Sequence, residues 1–308
     1  MYNIIGKKNL WLSISGALMV VSIVMLSMWG LKLGIDFTGG SLQEVRFLQD
    51  RPTVPEVEER LADLKLNSLT VQPVEDMGMI LRYQQTTEEV HQAVLKKLQT
   101  FAPAPEKGKP ASMAVEEMRF EAVGPSVGQE LQRKSIYAII AVLIAISGYI
   151  AWAFRKVSRP VASWKYGAAT LVSLFHDVII VLGLFAALGH FHGVEVNTTF
   201  IAAVLTVLGF SVHDTIVVFD RIRENLPRSN DAFDGTVNVS LNQTVHRSVN
   251  TSVTVMLVLL SIVLFGGSSI FYFSLALLIG IFFGTYSSIF LASPLLVWWQ
   301  EMSAKRNA

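Results

Sequence analysis

Six runs of mostly apolar residues, at about 10–31, 135–154, 164–188, 197–219, 245–265 and 270–298, constrain this chain more than any other feature. Each is close to or above the roughly 20 residues that an α-helix needs to cross a bilayer. The expected fold is therefore an α-helical polytopic membrane protein with six transmembrane helices. The last run is longer than a membrane needs, which predicts that it is interrupted or tilted. Of 308 residues, 52% are hydrophobic and 16% charged, a balance that leaves room for one modest soluble insert. The net charge of +1 provides no concentrated basic footprint, so no nucleic acid partner is expected and membrane lipids are. The absence of cysteine rules out disulfides, thiol chemistry and Cys-zinc sites. Lys7 and Lys8 precede the first run as in a signal peptide, yet that run is too long and no small-x-small cleavage pattern follows. It reads as a retained anchor.

Basic residues near the span ends set the orientation. Lys7 and Lys8, then Arg155, Lys156 and Arg159, then Arg221, Arg223 and Arg228, then Lys305 and Arg306 all fall on one side if both termini are cytoplasmic. The opposite side keeps the short links Gly189–Glu195 and Gly266–Ser269 and one long insert, Lys32–Lys134. The expected division is 1–34 for the N-terminus and first span, 35–132 for an extracytoplasmic domain, 133–302 for spans two to six, and 303–308 for a cytoplasmic tail.

The insert alternates element types. Ser41–Phe47 reads as a strand, Val54–Leu66 as a helix opened by Thr53, and Leu69–Glu75 and Met79–Tyr83 as strands with a turn at Asp76–Gly78. Thr87 can cap a helix to about Phe101, with Glu88 and Glu89 where the dipole favours them. Ala102–Ala111 is a Pro-rich loop, and Ala114–Val123 alternates again. The order β-α-β-β-α-β predicts an α+β ferredoxin-like domain.

The candidate chemistry lies inside the spans. A carboxylate at such depth costs roughly 2.5–3.5 kcal/mol on insertion scales, so it faces a bundle interior or water and finds a partner. Asp214 in the fourth run is the leading candidate. His176–Asp177 in the third run echoes His213–Asp214, and the short link makes these two helices antiparallel neighbours. At 1.5 Å per residue Asp177 sits about 20 Å from the cytoplasmic end of its helix and Asp214 about 10 Å from that surface, so they need not touch. In the fifth run Arg247, Asn250, Thr251 and Thr254 share one face. Turned inward, that stripe would pair with Asp214 and carry protons or water; the alternative is that Arg247 snorkels to phosphate headgroups. The histidines titrate near neutrality, though packing or hydrogen bonding is the simpler role for them. His190, His192 and Glu195 have metal-binding side chains, but one short polar link makes no site. Gly280 and Gly284 form a GxxxG, a helix-packing motif. The chain has no nucleophile–base set, phosphate loop or zinc spacing, which leaves an ion gradient or another protein as the source of work. No enzyme activity and no cofactor are expected, only a transported H+ or Na+.

Several of these segments resemble the SecF branch of the SecD/SecF family. Gly34 to Gly40, with Asp36, Phe37, Thr38, Gly39 and Gly40, resembles its LDFTGG signature. Gly124, Pro125 and Gly128 in VGPSVG, HDVII at 176–180, DTIVVFDRIREN at 214–225 and SLNQTVHRS at 240–248 resemble further motifs in order. The resemblance implies half of an RND-superfamily bundle in which Asp214 and Arg247 relay protons. It implies pairing with SecD, association with the SecYEG channel, and use of a proton or sodium gradient in late export of preproteins after SecA has acted. The home would be the plasma membrane, or a thylakoid membrane. His213 stands where many relatives carry Asn. The glycine loops would serve as hinges that pass membrane motion to the outer domain. Two other readings fit the same composition, an RND-type exporter of small molecules or lipids and a structural assembly factor.

Overall fold

The computed structural model describes residues 2–48, 50–74, 76–101, 115–155 and 161–307. The Pro-rich loop 102–111 and the basic residues Lys156 and Arg159 lie outside them. The chain forms two compact units, Leu33–Lys134 and Met1–Lys32 with Ser135–Ala308.

The first long helix is α1, Lys8–Trp29. The inserted unit then runs α2 (Ile35–Thr38), β1 (Gly40–Phe47), α3 (Val54–Leu61), β2 (Thr70–Val74), β3 (Gly78–Tyr83), α4 (Glu88–Gln99) and β4 (Val115–Val123). The strands form one sheet in the order β2-β3-β1-β4 with every neighbouring pair antiparallel, the ferredoxin-like arrangement expected from the element order. Alternation decides which face is covered. Val45 and Phe47 of β1 and Met79, Leu81 and Tyr83 of β3 turn inward, where Val57 and Leu61 of α3 and Val94 and Leu98 of α4 complete the core. A capping box opens α3, with the Thr53 N–H donating to Glu56 Oε2 at 2.7 Å. That helix was expected to reach Leu66. It stops at Leu61 because a 3-10 turn follows and Lys65 takes a left-handed backbone, φ 48°.

The two glycine signatures of the sequence pack against each other within this unit. Gly39 has φ +74°, and a Cβ there would lie 2.7 Å from the Pro125 Cα. A Cβ on Gly128 would meet the Phe37 carbonyl oxygen at 3.0 Å. Thr38 Oγ1 lies 3.1 Å from the Gly34 carbonyl, to which it donates, and Phe37 is buried.

On the covered face of the sheet, His91 lies stacked on Phe120, ring centroids 3.7 Å apart. Its Nε2 is 2.7 Å from Glu117 Oε1 and its Nδ1 is 3.1 Å from Glu88. Gln43 also donates to Glu117 and accepts from the Tyr83 hydroxyl. Burial works against a charge on His91, but the carboxylates of Glu117 and Glu88 outweigh it and raise its pKa above the ordinary value.

The other unit takes in α5 (Pro125–Ala153) from Ser135 onward and adds α6 (Ser163–His192), α7 (Thr198–Asn225), α8 (Phe233–Phe265), α9 (Ser268–Ser287) and α10 (Ser293–Asn307). Among the described residues six helices are long and apolar enough to cross a membrane, the sixth being Ile270–Lys305. Most outrun their apolar runs at a polar end, α8 by a dozen residues, because polar residues continue a helix beyond the lipid as readily as apolar ones. A π-turn at Ser288–Ala292 interrupts the sixth span. It lies just before Pro294, which has no N–H for the carbonyl four residues back. α6, α7 and the sixth span contribute most of the interior, whereas Ile136, Ile140 and Ile144 of α5 and Leu257, Val258 and Leu264 of α8 are exposed, as a lipid-facing surface requires. At one end of this unit the Tyr2 N–H donates to Asn242 at 2.6 Å, the Ile4 N–H donates to Asn238 at 2.9 Å, and Lys8 pairs with Glu301. At the other, the Val196 N–H donates to the Lys32 carbonyl at 2.8 Å.

Two outcomes follow from the inserted unit. Gly39→Ala should destabilise it by about 1–3 kcal/mol, since the left-handed backbone and the Pro125 contact both resist a methyl, as read from denaturant unfolding of the full chain in detergent. His91 stabilises the unit while charged: with a raised folded pKa its contribution is complete below about pH 6.5 and is lost as pH rises through the folded value. Thermal stability should therefore fall on alkalinisation more in the native chain than in His91→Gln.

Candidate functional site

The periodicity of α6 places Ser173, His176 and Asp177 on one face, at i, i+3 and i+4, and all three are buried. Asp177 is 0% exposed. Its Oδ2 accepts from Ser211 Oγ of α7 at 2.6 Å and from Ser287 Oγ of α9 at 2.8 Å. Its Oδ1 lies 3.0 Å from His176 Nδ1, and Ser173 Oγ is 2.9 Å from Ser287 Oγ. One carboxylate thus ties three helices together.

Asp214 sits one turn beyond Ser211 on the same face of α7 and is 2% exposed. Its Oδ2 accepts from Ser252 Oγ of α8 and from Thr285 Oγ1 of α9, each at 3.3 Å. Those two hydroxyls are themselves 2.5 Å apart. Beside this cluster Thr215 Oγ1 and Ser288 Oγ are 2.8 Å apart, and Ser288 also reaches the Ser211 carbonyl at 3.2 Å. Close helix approach makes these reaches possible. A Cβ on Gly284 would lie 2.9 Å from Ser211 Cβ and one on Gly280 2.2 Å from Val207 Cγ2, so the GxxxG packs α9 directly onto α7.

The expected polar stripe of α8 does not meet Asp214 within this chain. Arg247, Asn250, Thr251 and Thr254 are exposed in this chain, and Thr251 and Thr254 bond back to carbonyls of their own helix. Among the described residues no hydrogen bond or ion pair joins Arg247 to Asp214. The face that packs inward is offset by one residue and carries Thr244, Ser248 and Ser252. A rotation of about 100° per residue separates the two stripes. His213 is likewise exposed, while His176 is fully buried. Asp177 and Asp214 make no direct contact, yet they share partners two residues apart on α9, so they lie closer in depth than distances from the helix ends suggest. Of the other residues singled out, His190 stacks on Trp29 at 5.1 Å and Glu195 pairs with Lys32 at 3.7 Å. Among the described residues no three His, Asp or Glu side chains converge on a metal position.

The sequence reading missed Ser211, Ser252, Thr285, Ser287 and Ser288. The available signals were the Ser248/Ser252 spacing and the hydroxyl run at 285–288 close to Pro294. Hydroxyl groups hold both carboxylates, with His176 added at Asp177, and among the described residues no lysine or arginine lies at ion-pair distance from either. Such a pair of groups can bind and release a cation or proton; it offers no nucleophile aimed at a substrate bond.

Six spanning helices around hydroxyl-bound carboxylates, with a ferredoxin-like domain inserted after the first, define a multi-pass membrane protein of the transport class. Comparison with known proteins makes this specific. Residues 105–302 match the family described as "Protein export membrane protein SecD/SecF, C-terminal", and residues 30–47 match the "SecD/SecF GG Motif". The chain is 44% identical to the protein translocase subunit SecF of Thermobaculum terrenum, over 98% of this chain and 95% of that one. It is 37% identical to SecF of Anaerolinea thermophila with the same coverage. Among solved structures it resembles SecDF, a translocon-associated membrane protein from Thermus thermophilus, with TM-score 0.81 and 30% identity over 97% of this chain and 39% of that chain. A super-membrane-facing form of SecDF gives TM-score 0.69 over 99% of this chain and 40% of the other. The chain belongs to the SecD/SecF family of protein-export membrane proteins, on its SecF side.

The offset of the two α8 stripes can be measured. Ser252→Ala should destabilise the helical unit by about 1 kcal/mol, because a buried carboxylate loses a donor. Thr251→Ala should change it by less than about 0.5 kcal/mol. Unfolding of both variants in detergent micelles gives the comparison.

Proposed function

We propose that this chain, together with SecD, couples a proton or sodium gradient to late steps of protein export through the SecYEG channel, after SecA has driven insertion of the preprotein. The observation that carries the reading is Asp214: a carboxyl group 2% exposed, deep in a spanning helix, aimed at hydroxyls and away from lipid. An uncompensated acidic group in that position is costly and marks an ion or proton pathway. The gradient supplies about 2.3 kcal/mol per charge per 100 mV, enough to bias a conformational cycle and little enough that one export event uses several charges.

Arg247 enters from a different direction. Its stripe with Asn250, Thr251 and Thr254 is polar and bare on the outer face of α8, a surface that lipid does not cover cheaply. The resemblance to SecDF, which is about two and a half times as long as the part matched, supports SecD as the cover. On this reading Arg247 joins the relay at the boundary between the two halves, and Asp214 reaches it when helices shift during the cycle. The basic residues Lys7, Lys8, Arg221, Arg223 and Arg228 favour a cytoplasmic location for both termini. The junction of Tyr2, Lys8, Asn238, Asn242 and Glu301 at one end of the helical unit supports the same side for the N-terminus, the start of α8 and the C-terminal helix. The inserted domain then lies outside the cytoplasmic membrane and meets the emerging polypeptide.

Asp214→Asn keeps the shape and removes the ionisable group. Membranes carrying it should assemble with SecD normally but lose gradient-stimulated export of a preprotein by tenfold or more. Normal export under a proton or sodium gradient would overturn the reading.

A further inference from the structure

We propose that Asp177 is a second reversible proton-binding site, separate from Asp214. The proposal rests on the gradient-coupled reading for its use in export, while proton binding itself can be measured without export.

Both carboxyl groups are built to the same plan. Each receives a hydroxyl from α9 that has a second acceptor on its own helix. Ser287 Oγ is 2.8 Å from Asp177 Oδ2 and 3.1 Å from the Gly284 carbonyl oxygen. Thr285 Oγ1 is 3.3 Å from Asp214 Oδ2 and 3.0 Å from the Ile281 carbonyl oxygen. A hydroxyl donates one proton and accepts through two lone pairs. When Asp177 is ionised, Ser287 donates to it. When a proton arrives it forms an O–H bond at Asp177 Oδ2, that group donates to Ser287 Oγ, and the Ser287 hydroxyl turns to the Gly284 carbonyl. The charge goes from −1 to 0 with one proton taken up, no heavy atom moves, and every hydrogen bond keeps a partner. Ser211 donates to Oδ2 in both states.

The surroundings favour a proton over other occupants. His176 Nδ1 is 3.0 Å from Asp177 Oδ1, and its Nε2 is buried with no partner among the described residues. A neutral imidazole carrying its proton on Nδ1 can donate to Oδ1 without placing an unpartnered N–H at Nε2. From α7 the facing groups are Ser211 and, one turn on, Asp214. From α9 they are Ser287 and Tyr286, whose ring centroid lies 6.2 Å from that of His176. From α1 there is Ser15, 3.1 Å from the Tyr286 hydroxyl. None of these is cationic. Separations of 2.6 and 2.8 Å between Asp177 and its serines are direct hydrogen bonds and leave no space for a sodium ion between them. Among the described residues no hydrogen bond bridges the Asp177 and Asp214 clusters, so each carboxyl has its own set of hydroxyl partners.

The test is infrared difference spectroscopy of the full chain in lipid between low and high pH, in H2O and D2O, reading the C=O stretch of protonated carboxyl groups shielded from water. Two deuterium-sensitive bands are expected, one abolished by Asp214→Asn and the other by Asp177→Asn. A single band lost only in Asp214→Asn, or a spectrum that Asp177→Asn leaves unchanged, would overturn the proposal. If Asp177→Asn does not fold, Ser287→Ala keeps the carboxyl and removes the turning hydroxyl. It should shift the Asp177 band and leave the Asp214 band in place, and an unshifted spectrum again refutes the assignment. An Asp177 band present while Asp214→Asn exports normally would instead overturn the relay reading and spare this one.

Discussion

A carboxyl group placed among apolar helices has to find hydrogen-bond donors inside the protein, because lipid supplies none. The helical unit is arranged around that requirement. Asp177 and Asp214 draw their donors from different helices, so satisfying them fixes the relative placement of α6, α7, α8 and α9. Apart from His176 beside Asp177, each donor is a serine or threonine hydroxyl. A hydroxyl can serve an ionised acid as donor and a neutral acid as acceptor, which a lysine or arginine cannot do. The bundle is therefore compatible with two protonation states at the same positions, and a buried ion pair would have locked it in one.

Packing delivers those short side chains to their targets. Serine reaches only a few ångströms from its backbone, so the helices must approach closely. Gly280 and Gly284 let α9 lie directly against Val207 and Ser211 of α7. Just beyond, the π-turn at Ser288–Ala292 changes which residues of the sixth span face inward. A π-turn accommodates an extra residue per turn and is frequent at functional sites. Here it begins at Ser288, directly after the stretch that supplies Thr285 and Ser287. Small residues, hydroxyls and a local departure from α-helical geometry thus act as one device.

Much of this was readable from residue order. The six spans are set by uninterrupted apolar length, the ferredoxin-like sheet by alternation and turn residues, and the candidate acids by their depth in apolar runs. What escaped is rotational and long-range. The α8 stripe of Arg247, Asn250, Thr251 and Thr254 and the neighbouring stripe of Thr244, Ser248 and Ser252 are both polar at helical spacing. Periodicity states that each shares a face and cannot state which face packs inward. Serine and threonine in a spanning helix commonly bond back to their own carbonyls, as Thr251 does, so Thr285 and Ser287 carried no sequence mark of their second partner. The contact of Gly39 with Pro125 joins segments far apart in the chain and depends on how β1 and β4 pair.

The central claim is that the Asp214 carboxyl gains and loses a proton within the membrane. A lipid-soluble carbodiimide adds only to protonated carboxyl groups in apolar surroundings, and mass spectrometry of the digested chain locates the adduct. The account predicts an adduct at Asp214 whose yield is high in acid and declines as the pH of the membrane suspension is raised. An Asp214 that stays unmodified at every pH while other carboxyl groups react, or one modified to the same extent throughout, would contradict it.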